Sequence, residues 1–200
     1  MNICIDPGHS GPFEPGACAG GVTEAAVTLE IAEITAKMLK KYGHKVLLTR
    51  TGDVNNNWLT WRCEAAWNFG ADIFISIHCN ANENPAAKGT EIYHFPKSEN
   101  GHALARCIQS ELVSLCQTVD RGVKENDEWT VLLETACPAV LVELAFITND
   151  AEREMLTTGI GQRRFAEGLV KGINRFAEGG PLFGKVMESP SSYRIRKTGT

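Results

Sequence analysis

Residues 139–149 read Ala-Val-Leu-Val-Glu-Leu-Ala-Phe-Ile-Thr-Asn, an apolar run with a single carboxylate, Glu143, near its centre. A run this apolar is typical of a strand that is covered on both faces of its sheet. A carboxylate in such a strand must be paired, protonated or bound to a ligand, because an isolated buried charge is costly. Glu143 is therefore the first candidate for chemistry in this sequence.

Two further apolar strands each end on a histidine. They read Ile3-Cys4-Ile5-Asp6-Pro7-Gly8-His9 and Ile73-Phe74-Ile75-Ser76-Ile77-His78. In an open α/β sheet, the carboxyl ends of parallel strands meet at the ligand site. We therefore expect His9 and His78 to lie close together, as candidate ligands of one metal ion.

The hydrophobic pattern alternates between the strand period and the helix period along the chain. Strands are predicted at 2–5, 45–49, 72–78, 89–95 and 139–145, with a weaker one at 131–133. Helices are predicted at 24–41, 58–69, 101–117, 149–157 and 161–177. This alternation predicts a three-layer α/β/α sandwich around a twisted, mostly parallel mixed sheet of about six strands.

The size of the chain fits one globular domain, and we expect a monomer. A chain of 200 residues, 43% of them hydrophobic, can bury a full core. The net charge of −4 argues against a nucleic-acid partner, because phosphate binding needs a basic face. No apolar stretch approaches the roughly 20 residues of a membrane span. We therefore expect no membrane partner. The first strand follows Met1 directly, so we expect no signal peptide in this chain, and either export uses another route or a leader was removed.

Cysteines and the carboxyl-terminal residues carry less information. The seven cysteines include no Cys-x-x-Cys pair, and we expect reduced thiols in the core rather than a disulfide framework. From Glu178 the chain reads Glu-Gly-Gly-Pro and periodicity disappears, as in a linker. We therefore assign residues 1–178 to the folded domain and 179–200 to a linker or tail.

Glu24 lies at the start of the first predicted helix, in register with the buried face of that helix. Steps of three and four residues back from Met38 along the apolar stripe lead to this carboxylate. Its place just after the Gly20-Gly21 pair leaves the carboxylate free to reach a site above the sheet. A second interpretation stays open, in which Glu24 only complements the helix dipole in the first turn.

His9, Glu24 and His78 together make a set of two histidines and one carboxylate. This is the ligand type of hydrolytic zinc, which keeps its fourth position open for water. Spacing alone does not decide the matter, since histidines at strand ends are also satisfied by backbone groups. No short metal motif such as His-Glu-x-x-His is present.

Five segments carry a family resemblance. They are Ile-Asp-Pro-Gly-His-Ser-Gly at 5–11, Leu-Thr-Arg-Thr-Gly-Asp at 48–53, the strand at 71–81, Gly-Thr-Glu at 89–91, and the run from Pro138 to Asn149. In this order the segments resemble the zinc-dependent N-acetylmuramoyl-L-alanine amidases of the amidase-3 type, over about residues 2–177. The residues that depart from the family pattern, Cys79 and Ala145, are small and apolar and leave the chemistry intact.

The resemblance implies a complete catalytic site. His9, Glu24 and His78 match the family's ligands for one zinc ion, and Glu143 matches its catalytic glutamate. The implied substrate is peptidoglycan, and the implied bond joins N-acetylmuramic acid to L-alanine of the stem peptide. The enzyme would then act on the bacterial cell wall, either outside the cell or after release from the cytoplasm.

Residues beside the predicted ligands have weaker assignments. Asp6 and Asn80 are candidates for supporting the ligands or touching substrate, although turn capping explains each equally well. Arg50 and Arg62 are candidates for contacting the acidic stem peptide, although arginines in such places are more often solvated. The long insertion that some cell-division amidases use as a blocking helix is missing after the strand at 89–95.

Two rival functions stay open at this point. A cysteine amidase would use one of the thiols with a nearby histidine, although none of them opens a helix after a loop, where such nucleophiles are activated. A non-catalytic wall-binding module would keep the fold and lose turnover. Residues 193–197 also weakly resemble the first strand of wall-binding repeats, so 179–200 is either a tail or the start of such a module.

Overall fold

The structure is a computed structural model that describes residues 1–55 and 59–179. Its strands are β1 (Asn2–Pro7), β2 (Cys18–Ala19), β3 (Val22–Thr23), β4 (Lys45–Leu48), β5 (Ile73–Asn80), β6 (Thr90–His94), β7 (Asp120–Glu125) and β8 (Ala139–Phe146). Its helices are α1 (Glu24–Lys41), α2 (Leu59–Phe69), α3 (Glu99–Cys116), α4 (Thr130–Leu133), α5 (Asp150–Thr157) and α6 (Gly159–Ala177). The predicted linker or tail lies outside the described residues, apart from its first residue.

Six strands form the central sheet in the order β4-β1-β5-β8-β6-β7. Neighbouring strands run parallel except β8 and β6, which are antiparallel. Strands β2 and β3 form a separate two-stranded hairpin just before α1. The predicted three-layer sandwich with a mostly parallel mixed sheet is therefore confirmed.

The two faces of the sheet are covered to different extents. Alternate residues of β5, namely Ile73, Ile75 and Ile77, pack into the larger core cluster with apolar residues of α1, α3 and α6. The intervening residue Phe74 packs into a smaller cluster with side chains of α2 and α4. Beyond Phe74 on this second face, β5 continues with Ser76 and His78, because side chains alternate between faces. The polar half of this face holds the candidate site.

Helix boundaries follow local capping. Helix α1 has the predicted bounds, with the Thr23 hydroxyl accepting a hydrogen bond from the backbone of Ala26 at 3.4 Å. Helix α3 begins two residues earlier than predicted, because the Ser98 hydroxyl accepts from the backbone of Gly101 at 3.1 Å. Among residues 1–55 and 59–179, no helix is both long and apolar enough to cross a membrane.

The prediction of a strand at 131–133 is wrong. These residues belong to α4, where Val131 and Leu132 are buried in the smaller cluster. The sixth strand is β7 instead, with the sequence Asp-Arg-Gly-Val-Lys-Glu. It pairs only with β6 at the edge of the sheet, so it needs no apolar alternation.

Candidate metal centre

The three predicted zinc ligands meet at one point. Nε2 of His9 lies 2.9 Å from Oε2 of Glu24, and Nδ1 of His78 lies 2.9 Å from Oε1 of the same carboxylate. One ligand atom from each residue lies within 4.8 Å of the other two. Within the described part of the chain, this is the one group of three or more such side chains close enough to hold a metal ion.

The fold explains why these side chains converge. His9 follows β1, His78 lies near the carboxyl end of the neighbouring parallel strand β5, and Glu24 opens α1. Backbone amides help to place the carboxylate, since Cys79 donates to Oε1 at 2.9 Å and Ala17 donates to Oε2 at 3.0 Å. The site is thus assembled from two strand ends and one helix start.

Charges at the centre favour an anionic carboxylate. Burial alone would raise the pKa of Glu24, but the imidazoles of His78 and His9 hold that pKa well below its usual range. Burial would lower the pKa of His9, and hydrogen bonds to Glu24 and Glu14 raise it above the ordinary value instead. A cation bound at this point would likewise favour the anionic form of Glu24.

Two glycines leave room for the ligand side chains. A Cβ on Gly8 would lie 2.6 Å from Cε1 of His78. A Cβ on Gly16, which has a φ of +69°, would lie 2.6 Å from Nε2 of His9 and 2.7 Å from Oε2 of Glu24. Any side chain at either position would therefore push a predicted ligand out of place.

Glu14 contacts the predicted ligand His9, and the sequence analysis did not single it out. Its Oε1 pairs with Nδ1 of His9, and its backbone oxygen accepts from the amide of Ser10 at 3.0 Å. A carboxylate on Nδ1 fixes the tautomer of the ring and leaves Nε2 directed at the centre. Glu14 lies in a loop with no hydrophobic period, so no pattern in the sequence links it to His9.

Arg50 and Arg62 are buried beside the predicted ligands rather than solvated. Both are 4% exposed, and their guanidinium groups donate to backbone carbonyls of the loop that carries His9. Arg50 donates to Gly8 at 2.9 Å, and Arg62 donates to His9 itself at 2.8 Å. These bonds hold His9 in a left-handed conformation, with a φ of 65°, which non-glycine residues rarely adopt.

Asp6, on β1, is linked through Arg62 to the loop that carries His9. Its carboxylate accepts from Thr49 at 2.5 Å, from Ser76 at 2.7 Å and from Arg62 at 2.9 Å. It therefore reaches the centre through the arginine, since its hydrogen bonds within the described structure go to these residues rather than to an imidazole. The prediction that Asp6 supports a ligand stays a prediction, with Arg62 as the connecting group.

Asn80 forms its side-chain hydrogen bonds with Glu91 and with the backbone of Ala81. Its Nδ2 donates to Oε1 of Glu91 at 2.7 Å, and its Oδ1 accepts from the backbone of Ala81 at 2.9 Å. Oε1 of Glu91 also accepts from the Tyr93 hydroxyl at 3.0 Å. Asn80 thus caps a turn and binds Glu91, which lies on the opposite side of Glu143 from the predicted ligand His78.

Glu143 lies between the metal centre and Glu91. Its backbone is in register with His78 on one side and with Glu91 on the other. Its Oε2 atom is buried and has no hydrogen-bond partner within the described residues. Burial raises the pKa of Glu143 to about 7, and the Glu24 and Glu91 carboxylates add to this effect while His78 opposes it. Such a carboxyl group can accept and release a proton near neutral pH.

Glu91, Arg121 and Lys124 form a charged group beside Glu143 that the sequence analysis also missed. Glu91 is 3% exposed, and its Oε2 accepts from Arg121 at 2.7 Å and from Lys124 at 2.5 Å. Burial would raise the pKa of Glu91, but these cations hold it below the ordinary value. Both cations lie on β7, the strand that the hydrophobic pattern did not predict.

Comparisons with known proteins show one family. A family model described as N-acetylmuramoyl-L-alanine amidase matches residues 3–175. The Bacillus subtilis strain 168 protein YqiI is 38% identical over 178 residues, which cover 87% of this chain and 84% of YqiI. The N-acetylmuramoyl-L-alanine amidase LytC of the same strain is 36% identical over 172 residues. That match covers 85% of this chain and 34% of LytC, so the chain spans about a third of that relative's length.

A solved structure extends the likeness to three dimensions. The crystal structure of an N-acetylmuramoyl-L-alanine amidase from Clostridium difficile 630 superposes with a TM-score of 0.84 at 34% sequence identity. The alignment covers 90% of this chain and 97% of the solved chain. The two chains therefore share nearly the whole of one domain.

Proposed function

The chain belongs to the N-acetylmuramoyl-L-alanine amidases of the amidase-3 type, and we propose that it cleaves peptidoglycan with a zinc ion held by His9, Glu24 and His78. The bond is the amide between the lactyl group of N-acetylmuramic acid and L-alanine of the stem peptide. One observation carries the proposal. Three candidate ligand atoms lie within 4.8 Å of one another beside Glu143, whose Oε2 is buried and unpartnered among the described residues.

The donor set fits zinc. Two imidazole nitrogens and one carboxylate oxygen are the ligands of many hydrolytic zinc sites, which leave one position for water or substrate. Gly8 and Gly16 leave the space that the His78 and His9 rings occupy. The chemistry that zinc supplies in such a site is polarisation of the scissile carbonyl and acidification of the attacking water.

Proton transfer falls to Glu143. An amide has a poor leaving group, so its nitrogen must be protonated as the C–N bond breaks. Glu143 takes a proton from the attacking water on its carboxylate and delivers it to the departing nitrogen of L-alanine. Burial raises the pKa of Glu143, which makes its carboxylate a stronger base for the first step.

Support for the cysteine rival is weak. Burial raises the pKa of the thiols of Cys63, Cys116 and Cys137, to about 11 for the first and about 12 for the other two. Cys79 lies next to the candidate ligands, but burial and the nearby carboxylates of Glu24 and Glu143 raise its pKa as well. Such thiols hold their protons at neutral pH and are poor nucleophiles.

A pair of glutamine substitutions tests the assignment by separating the base from the ligand. Glu143→Gln keeps the shape of the side chain and removes the proton acceptor, so zinc content should stay near wild type while turnover falls by about 10²–10⁴. Glu24→Gln should lose zinc as well as turnover. Metal analysis and muropeptide hydrolysis are measured on the same preparations.

Controls address the rival functions. A chelator should abolish hydrolysis and zinc should restore it, while thiol alkylation should have little effect. Full activity in excess chelator, combined with loss on alkylation, would favour the cysteine enzyme. Tight binding of peptidoglycan by a wild-type protein that holds no metal and shows no turnover would favour the wall-binding module.

The catalytic domain is proposed to comprise residues 1–178 and to act on the cell wall as a monomer, without a membrane partner. The match of the family model, which ends at residue 175, supports the carboxyl-terminal boundary. Residues 179–200 are proposed to form a linker or the start of a wall-binding module.

A further inference from the structure

The edge strand β7 presents two cations next to the proposed catalytic carboxylate. Arg121 and Lys124 both form ion pairs with Glu91, so these three side chains together carry a net charge of +1. The side chains of the two cations are 36% and 38% exposed, whereas that of Glu91 is 4% exposed. The surplus positive charge therefore faces solvent and can bind an anion.

Sheet register places these cations at a short distance from the proposed scissile bond. His78, Glu143 and Glu91 form a row across the adjacent strands β5, β8 and β6. Because neighbouring strands lie about 4.8 Å apart, the backbone of Glu91 is about 10 Å from that of His78. Arg121 and Lys124, on the next strand, both donate to the Glu91 carboxylate at the end of this row. Tyr93 lies on the same face of β6 as Glu91 and donates to that carboxylate as well.

Aromatic rings hold both cations in place before any ligand arrives. The guanidinium carbon of Arg121 lies 5.0 Å from the centre of the Phe146 ring, and Nζ of Lys124 lies 5.6 Å from the centre of the Tyr93 ring. Such contacts favour a fixed position of the charged group. A ligand that binds preformed groups loses less free energy to the ordering of side chains.

We propose that Arg121 and Lys124 form a subsite for a carboxylate of the stem peptide, located beyond the L-alanine that is released. The proposal rests on the amidase function described above. An extended peptide advances about 3.3–3.6 Å per residue, so the second or third residue after the scissile bond reaches the cations. Arginine and lysine together offer a planar fork and a point charge, and both bind carboxylates well.

Two carboxylates of an acidic stem peptide could supply this chemistry, and amidated substrates distinguish them. One substrate pair is N-acetylmuramoyl-L-alanyl-D-isoglutamate and its D-isoglutamine analogue. A second pair ends with a third residue whose carboxylate is free or amidated. Amidation of the carboxylate that binds the subsite should lower kcat/KM about tenfold, which is typical of one lost charge-assisted hydrogen bond at a partly exposed site.

The variant Lys124→Gln tests the assignment to these residues. It leaves Arg121 on Glu91, so the buried carboxylate keeps a partner and the melting temperature should change little. The kcat/KM ratio of the free-acid substrate to its amide should fall towards one, and Lys124→Arg should restore it. Lys37→Gln is the matched control, because it removes one lysine that pairs with a glutamate on α1, far from β7.

Salt provides a readout that a purely structural role would not affect. Raising the ionic strength should reduce the preference of the wild type for the free acid, because the exposed cations are screened. An unchanged preference in Lys124→Gln, or equal cleavage of acid and amide by the wild type, would overturn the subsite alone. If the wild type cleaves none of these substrates, the amidase assignment is overturned together with the subsite.

Discussion

Glu143 combines features that serve proton transfer and oppose folding. Its Oε2 is buried without a hydrogen-bond partner in the described structure, and its pKa is raised to about 7. An unfolded chain would hold the same group in water, where the carboxylate is readily hydrated. The fold therefore loses stability whenever this side chain is ionised, a cost that is common at functional sites.

The pH dependence of this cost can be predicted for the metal-free protein. Because the pKa of Glu143 in the folded protein is above its ordinary value of 4.5, the folded protein binds more protons than the unfolded chain between about pH 4.5 and 7. Stability conferred by the protonated group is complete below this range and is lost as the pH rises through it. Metal-free Glu143→Gln should therefore be more stable than the metal-free wild type at pH 8, by roughly 1–3 kcal/mol.

Urea unfolding of chelator-treated protein at pH 4 and pH 8 measures this difference. The two proteins should have similar stability at pH 4, where the wild-type carboxyl group is neutral. Glu154→Gln, which replaces an exposed glutamate on α5, serves as the control and should change stability little at either pH. An equal effect of Glu143→Gln at both pH values would contradict the explanation.

At the scale of elements, the loop between β1 and β2 does more than connect strands. It carries His9, whose ring Glu14 holds at Nδ1, and its backbone carbonyls are bound by Arg50 and Arg62. The predicted ligand is therefore supported on both its ring and its main chain. This arrangement restricts the ring before any metal binds.

Glu14→Gln should weaken zinc binding about 10–100-fold, the usual effect of removing a carboxylate that supports a histidine ligand. The affinity is measured by competition with a chromogenic chelator, which needs no enzyme assay. Glu64→Gln, at an exposed position on α2, is the matched control. If both variants bind zinc like the wild type, Glu14 does not support a ligand.

Elements with a buried face were predictable, and the others were not. The pattern predicted β1, β5, β8 and α1 because each buries apolar residues at its own period. It missed β7, which has charged residues and a glycine at an open edge. The apolar run at 131–133 is too short for periodicity to distinguish a strand from one helical turn, and it forms α4.

Periodicity also limits what could be predicted of the site. His9, Glu24 and His78 are carried by strand ends and a helix start, whose positions follow from the fold. Glu14 and the cations of β7 depend on loop conformation and on the pairing of an edge strand, which leave no regular trace in the sequence. Arg50 and Arg62 were misinterpreted because burial of an arginine depends on acceptors that only the folded loop provides.

For the whole molecule, the boundary of the domain leads to another prediction. The apolar face of α6 is buried in the larger core cluster, and the family model ends within this helix. Removal of residues 181–200 should leave the melting temperature within about 2 °C of the full chain, since these residues lack apolar periodicity. Cleavage of small soluble muropeptides should also be unchanged.

Differential scanning fluorimetry and a muropeptide assay on the full and shortened chains test this boundary. Sedimentation of both forms tests whether they are monomers. A marked fall in the melting temperature would show that the removed residues pack on the domain. Unchanged cleavage of small substrates with weaker cleavage of intact wall would assign a targeting role to the tail.

Gly8 and Gly16 also bear on how the gene for such an enzyme can change. Every single-base substitution in a glycine codon that alters the amino acid introduces a Cβ atom or a stop. At these two positions the new atom would lie within 2.7 Å of His78 or His9. No single-base change of these codons therefore gives another amino acid that fits. Selection for wall cleavage should act on these codons as strongly as on those of the proposed ligands.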